Sequence, residues 1–153
     1  MNISFYVLSE SKAQDSLGFI CQLTQTALNK GTQSLLILTE DEPLLGTLDD
    51  ALWADEATSF IPHQRLDVDN SIADQTDSVL APVLLSSYLP ANFNGVIINL
   101  TSNPITEFMT ATNNAAPTRV LELIKPDAES MQAGRNNYKH YQQLGYELTH
   151  FNV

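Results

Sequence analysis

Hydrophobic and polar positions follow two rhythms along this chain, one of strands and one of helices. A short β-branched and aromatic run, Ile3 to Leu8, predicts a buried strand. Leu17, Ile20, Cys21, Thr24 and Leu28 follow at spacings of three and four, the period of a helix that buries one face. Asn29 and Gly31 suit its C-terminal end. Ser34 to Leu38 is a continuous apolar run, as expected for a strand covered on both sides. Strand, helix and strand in so short a space predict a βαβ unit with parallel strands. Leu45, Leu48 and Leu52 form a second helical face that ends at Trp53. Ser59 to His63 reads as a short strand stopped by Pro62, and residues 64–81 read as a long polar loop.

Two more strands are predicted at "PVLLSS" and "GVIINL". A short helix is expected to start at Pro104 with Asn103 as its cap. "RVLELI" predicts another strand, Asp127 opens a helix that runs to Gln143, and Gly145 ends it. The strict alternation of "YELTHF" predicts a half-buried final strand. Together these elements predict a single α/β domain over residues 1–153. It should be three-layered and Rossmann-like, with a largely parallel, mixed sheet.

A chain of 153 residues is long enough to bury roughly two thirds of its unfolded surface, so no disulfide is needed. The single Cys21 falls on the apolar helix face and is expected to be a core residue in a reducing compartment. No basic leader precedes "MNISFYVLSE" and no apolar run has the length of a membrane span, so a soluble cytoplasmic protein is expected. Seven Lys and Arg against 18 Asp and Glu give a formal charge of -11, which argues against an extended nucleic-acid surface. The charge is uneven. Residues 1–118 carry 14 of the acids and only Lys12, Lys30 and Arg65. The remainder carries four acids with Arg119, Lys125, Arg135 and Lys139, so its cations could meet an acidic partner.

The usual chemistry of a doubly wound sheet is missing. "SESKAQDS", after the first strand, lacks the glycines of a dinucleotide loop, and "NKGTQS" matches no phosphate loop. His63, His140 and His150 are too scattered for a local metal site, and no nucleophile elbow is present. No cofactor and no catalytic residue is therefore expected. An α/β enzyme acting on a nucleotide or a small acidic metabolite stands as the alternative class, but fold alone warrants no function.

Two constellations remain. Arg135, Tyr138, Lys139 and Gln142 share one helix face, although like charges four residues apart repel by a few tenths of a kcal/mol, roughly. Such a face serves equally as solvated surface or as a grip for a carboxylate beside an apolar group. Trp53, Phe60 and Ile61 lie in "LDDALWADEATSFIPH", where pattern alone allows core residues or interface anchors.

That stretch, together with "RNNYKHYQQLGYEL", resembles the chi subunit family of bacterial DNA polymerase III. The opening "FYVL" and the strand exit "LLILTEDE" fall in the same order, and only residues 64–95 contribute nothing to the likeness. The resemblance implies a non-catalytic clamp-loader accessory subunit in DNA replication that meets DNA only through partners. One implied partner is the psi subunit, at Trp53, Phe60 and Ile61, where a helicase-like protein is implied as a competitor in some bacteria. The other is the acidic C-terminal tail of single-stranded DNA-binding protein, which ends in phenylalanine. Arg135 and Lys139 would meet the tail's carboxylates, while Ile124 and Tyr138 would line a pocket for its terminal ring. Met131 and Gln142 stand where relatives carry more basic residues, which implies a weaker grip or reliance on Lys125 and Arg119.

Overall fold

A computed structural model of the chain describes residues 2–30, 34–54, 63–65, 83–90, 93–112 and 117–153. The elements run β1 (Asn2–Val7), α1 (Glu10–Gln14), α2 (Ser16–Lys30), β2 (Leu35–Leu38), α3 (Glu42–Ala54) and β3 (His63–Arg65). They continue with β4 (Val83–Ser86), β5 (Val96–Asn99), α4 (Ile105–Thr110), β6 (Arg119–Ile124), α5 (Ala128–Gln143) and β7 (Glu147–Asn152).

The seven strands form one sheet in the order β3-β4-β2-β5-β6-β1-β7. Every neighbouring pair is parallel, so the expectation of a mixed sheet is corrected. The final strand β7, expected to be half-buried, is exposed along its length except for part-covered Leu148, because it forms the edge of the sheet. The β1-α2-β2 unit is parallel as expected, but β5 and β6 lie between its two strands.

Apolar side chains cover both faces of the sheet, as parallel strands require. On the face of α2 and α3, Ile20, Cys21, Leu45 and Leu48 pack on Leu35, Ile37, Val83, Leu85, Ile98 and Leu121. On the face of α4 and α5, Ile105 and Tyr141 pack on Ile3, Phe5, Leu36, Leu38, Leu84, Ile97 and Val120. The α/β layering is thus as expected, with Cys21 in the core.

Three local readings are corrected. Part of "SESKAQDS" is the short helix α1, whose polar sequence has no apolar period to announce it. Strand β3 begins at His63 and takes in Gln64 and Arg65, which had been read as loop, while Ser59 to Pro62 lie outside the described residues. Pro104, not Asn103, is the N-cap of α4, with no side-chain cap bond. The Asn103 carbonyl is instead taken by Asn99 Nδ2 at 2.9 Å and by the Thr101 hydroxyl at 3.2 Å.

Candidate functional site

Helix α5 starts where the sequence places it, with the Asp127 carboxylate accepting the Ser130 backbone N–H at 2.9 Å as its N-cap. That bond holds the Asp127 carboxyl below the usual aspartate range. The helix closes through Leu144 into Gly145, whose φ of 81° suits glycine. Gly134, Asn137 and Tyr141, at spacings of three and four, turn inward and are buried. Gly134 leaves room for the Ile124 side chain of β6, since a Cβ there would stand 2.6 Å from Ile124 Cδ1.

Under the inner face lies a buried polar cluster. Glu122, 4% exposed, sits opposite Asn99 in the β5-β6 register. Burial pushes its carboxyl up to about 8, against hydrogen bonds from Asn99, Tyr141 and Asn137 that pull the other way. At neutral pH Glu122 is therefore mostly a carboxylic acid, the cheaper form to bury. The Tyr141 hydroxyl accepts the Ile105 N–H at 2.7 Å and lies 3.4 Å from Glu122 Oε1, a long contact. Burial and the neighbouring Glu122 raise the phenol. Asn137 Nδ2 donates to the Ser102 carbonyl at 3.2 Å.

The outer face of α5 is different. Met131, Gly134, Arg135 and Tyr138 form one wall of a groove of about 420 Å³, with Phe5, Val7 and Ile124 as its floor and His150 and Asn152 as its far wall. The Tyr138 ring meets Phe5 at 5.4 Å between centroids, tilted by 51°. Met131 and Tyr138 are 37% and 38% exposed, so the groove is open and apolar at its centre. No aspartate or glutamate lines it. Among the described residues, neither a hydrogen bond nor an ion pair engages the Arg135 guanidinium. Such a groove can take an aromatic or aliphatic side chain on its floor and a carboxylate on its rim.

The structure thus brings Ile124, Arg135 and Tyr138 to one place. Lys139 is exposed on the flank, one turn from Arg135, and does not line the groove. Lys125 follows Ile124 and lines a second cavity of about 220 Å³, which shares Ile124 and Gly134 with the groove. Arg119 is ruled out as a helper. It begins β6, at the far end of that strand from Ile124, and its guanidinium donates to Ser4 Oγ at 2.9 and 3.2 Å. Trp53 lies in α3 with its side chain outside the described residues, as are Phe60 and Ile61 altogether. Sequence reasoning missed Phe5, Val7, His150 and Asn152. The alternation of the last strand puts His150 and Asn152 on one face, but only the pairing with β1 shows what that face meets. Among the described residues no group of side chains could hold a metal ion, and no helix is long and apolar enough to cross a membrane.

Fold and groove together define an α/β domain with a ligand-sized opening beside its last helix. The family described as DNA polymerase III chi subunit, HolC, matches residues 1–149, and the chain belongs to it. It is 29% identical over 150 residues to the DNA polymerase III subunit chi of Pseudomonas aeruginosa, covering 95% of this chain and 92% of that protein. It is 28% identical over 153 residues to the subunit of the same name from Escherichia coli, covering 96% and 95%. As a chi-family member it is an accessory subunit of the bacterial replicative polymerase, with that complex as its setting.

Proposed function

We propose that this chain is a non-catalytic clamp-loader accessory subunit that links psi to the acidic C-terminal tail of single-stranded DNA-binding protein in the cytoplasm. One observation carries the tail assignment. In a chain with 18 acids and seven bases, the groove on α5 combines an apolar floor with an uncommitted guanidinium and no carboxylate of its own. A terminal phenylalanine ring suits the floor of Phe5 and Ile124 beside the Tyr138 wall. Its carboxylate suits Arg135, which can grip with two parallel hydrogen bonds. DNA would then be met only through the tail-bearing partner, because seven bases against 18 acids leave little positive charge to neutralise phosphates. Trp53, Phe60 and Ile61 are assigned by resemblance to the psi surface, where a helicase-like protein would compete.

Titration of a fluorescent peptide copied from the host's own tail tests the first assignment. Saturable binding to the wild type that is lost in Arg135→Ala is the expected result. Equal binding by both proteins overturns it. For psi, co-purification should fail with Trp53→Ala while the tail peptide stays bound. A Trp53→Ala protein that keeps psi defeats that assignment.

A further inference from the structure

The groove holds a titratable side chain that neither the helix pattern nor the family resemblance singled out. Strand β7 pairs with β1 so that His150 stands opposite Phe5 and Asn152 opposite Val7. Residues paired across neighbouring strands point to the same face, and Phe5 packs on Tyr138 of α5. His150 therefore faces the helix from the far wall of the groove. The groups that face it can be named from each element. Helix α5 presents the Arg135 cation and the Tyr138 phenol, β1 presents Phe5 and Val7, β6 presents Ile124, and β7 itself adds Asn152. Glu147, two residues before Thr149 and four before Phe151, belongs with them to the other face of β7.

Among the described residues, then, no aspartate or glutamate lines the groove with His150, and Arg135 is the one cation beside it there. An occupant that brings carboxylates would supply the missing negative charge, and opposite charge close by favours the protonated imidazole. We propose that His150 is a second carboxylate contact in this groove, engaged as imidazolium, so that binding an acidic peptide draws in a proton. The proposal rests on reading the groove as an acidic-tail site. It makes affinity depend on pH across the range in which histidine titrates, where the peptide's own carboxylates, titrating near pH 4, roughly, stay ionised.

The test titrates an acidic peptide ending in a free phenylalanine carboxylate against wild type, His150→Gln and His150→Lys between about pH 8 and about pH 5.5. Wild type should bind about five- to tenfold more tightly at the acid end, the change expected from a shift of up to one pKa unit. His150→Gln should be flat across the range and close to wild type at the alkaline end. His150→Lys should be flat too, and at least as tight as wild type at the acid end. Since His150 is exposed on the edge strand, both variants should melt with the wild type. Calorimetry of wild type in two buffers of different ionisation enthalpy reads the proton uptake without any substitution. A flat wild-type profile, no proton uptake, or unchanged acid tightening in His150→Gln overturns the proposal while Arg135-dependent binding stands. Failure of wild type to bind at any pH, or equal binding by Arg135→Ala, overturns the tail reading and the proposal with it.

Discussion

On its inner side helix α5 carries Asn137 and Tyr141, which reach the Ser102 carbonyl and the Ile105 N–H inside the fold. One helical step away, on its outer side, Arg135 and Tyr138 border an open groove in which none of the described residues answers the guanidinium. Composition hardly separates the two sides, since both mix a tyrosine with a strongly polar residue. What separates them is satisfaction. A buried polar group must find its partner in the fold, at a penalty of about 1–3 kcal/mol if it does not. An exposed one is free to find it elsewhere. The inner side therefore reads as architecture and the outer side as recognition, and substitutions should divide accordingly between melting temperature and affinity.

The largest effect is expected from Tyr141→Ala, which removes a fully buried ring and leaves the Ile105 N–H without its acceptor. A loss of about 3–5 kcal/mol follows, or a fall in Tm of roughly 10 °C for a domain of this size. Tyr141→Phe keeps the ring and should cost about 1–3 kcal/mol, the share of the hydrogen bond. If both melt like the wild type, the inner side is not architecture. Glu122→Gln should act in the opposite direction. Its carboxyl titrates at about 8 in the fold against an ordinary value of 4.5, so the folded state holds a proton that the unfolded chain has released. The stability this supplies is complete below the ordinary value and is lost as pH climbs towards the folded one. Glutamine, which never ionises, should gain roughly 2–4 kcal/mol over the wild type at the alkaline end and flatten the dependence of Tm on pH. Thermal melts of both proteins on either side of neutrality check the sign. A wild type that grows more stable as pH rises through this window contradicts it.

The fold was legible in sequence wherever one element carried its own period. The faces of α2 and α3, the continuous run of β2 and the start of α5 after Asp127 all come from local spacing, and the structure buries Ile20, Cys21, Leu45 and Leu48 accordingly. Long-range pairing was not legible. Asn99 looks like a tolerated polar end of one apolar strand and Glu122 like a polar interruption of another, until the register sets them side by side under Tyr141. The candidate groove splits the same way. Its helix wall follows from the spacing of Arg135 and Tyr138. Its floor and far wall join the first strand to the last, and no periodicity within either strand encodes that they are neighbours. Lys139 shows the limit of counting by fours, because a residue one turn on from Arg135 has already rotated away from the opening.

The outer side makes two smaller predictions. Arg135→Ala should weaken binding of the tail peptide by about 1.5–3 kcal/mol, the range for a hydrogen bond to a charged group. Its Tm should stay level or rise slightly, since it relieves a like-charge pair with Lys139 on an exposed face. The smallest effect belongs to Lys139→Ala. Outside the groove and exposed, its ammonium can add only a screened attraction across solvent, about 0.2–1 kcal/mol for such pairs. At physiological ionic strength the screening length is about 8 Å, and raising the salt should erase most of what Lys139 supplies. Arg135, in contact with the occupant, should keep most of its effect under the same treatment. Peptide titrations of the wild type and both variants at low and high salt therefore separate contact from long-range attraction. Equal losses in Arg135→Ala and Lys139→Ala, equally sensitive to salt, would show that charge alone draws the peptide to this end of the molecule and that the groove does not hold it.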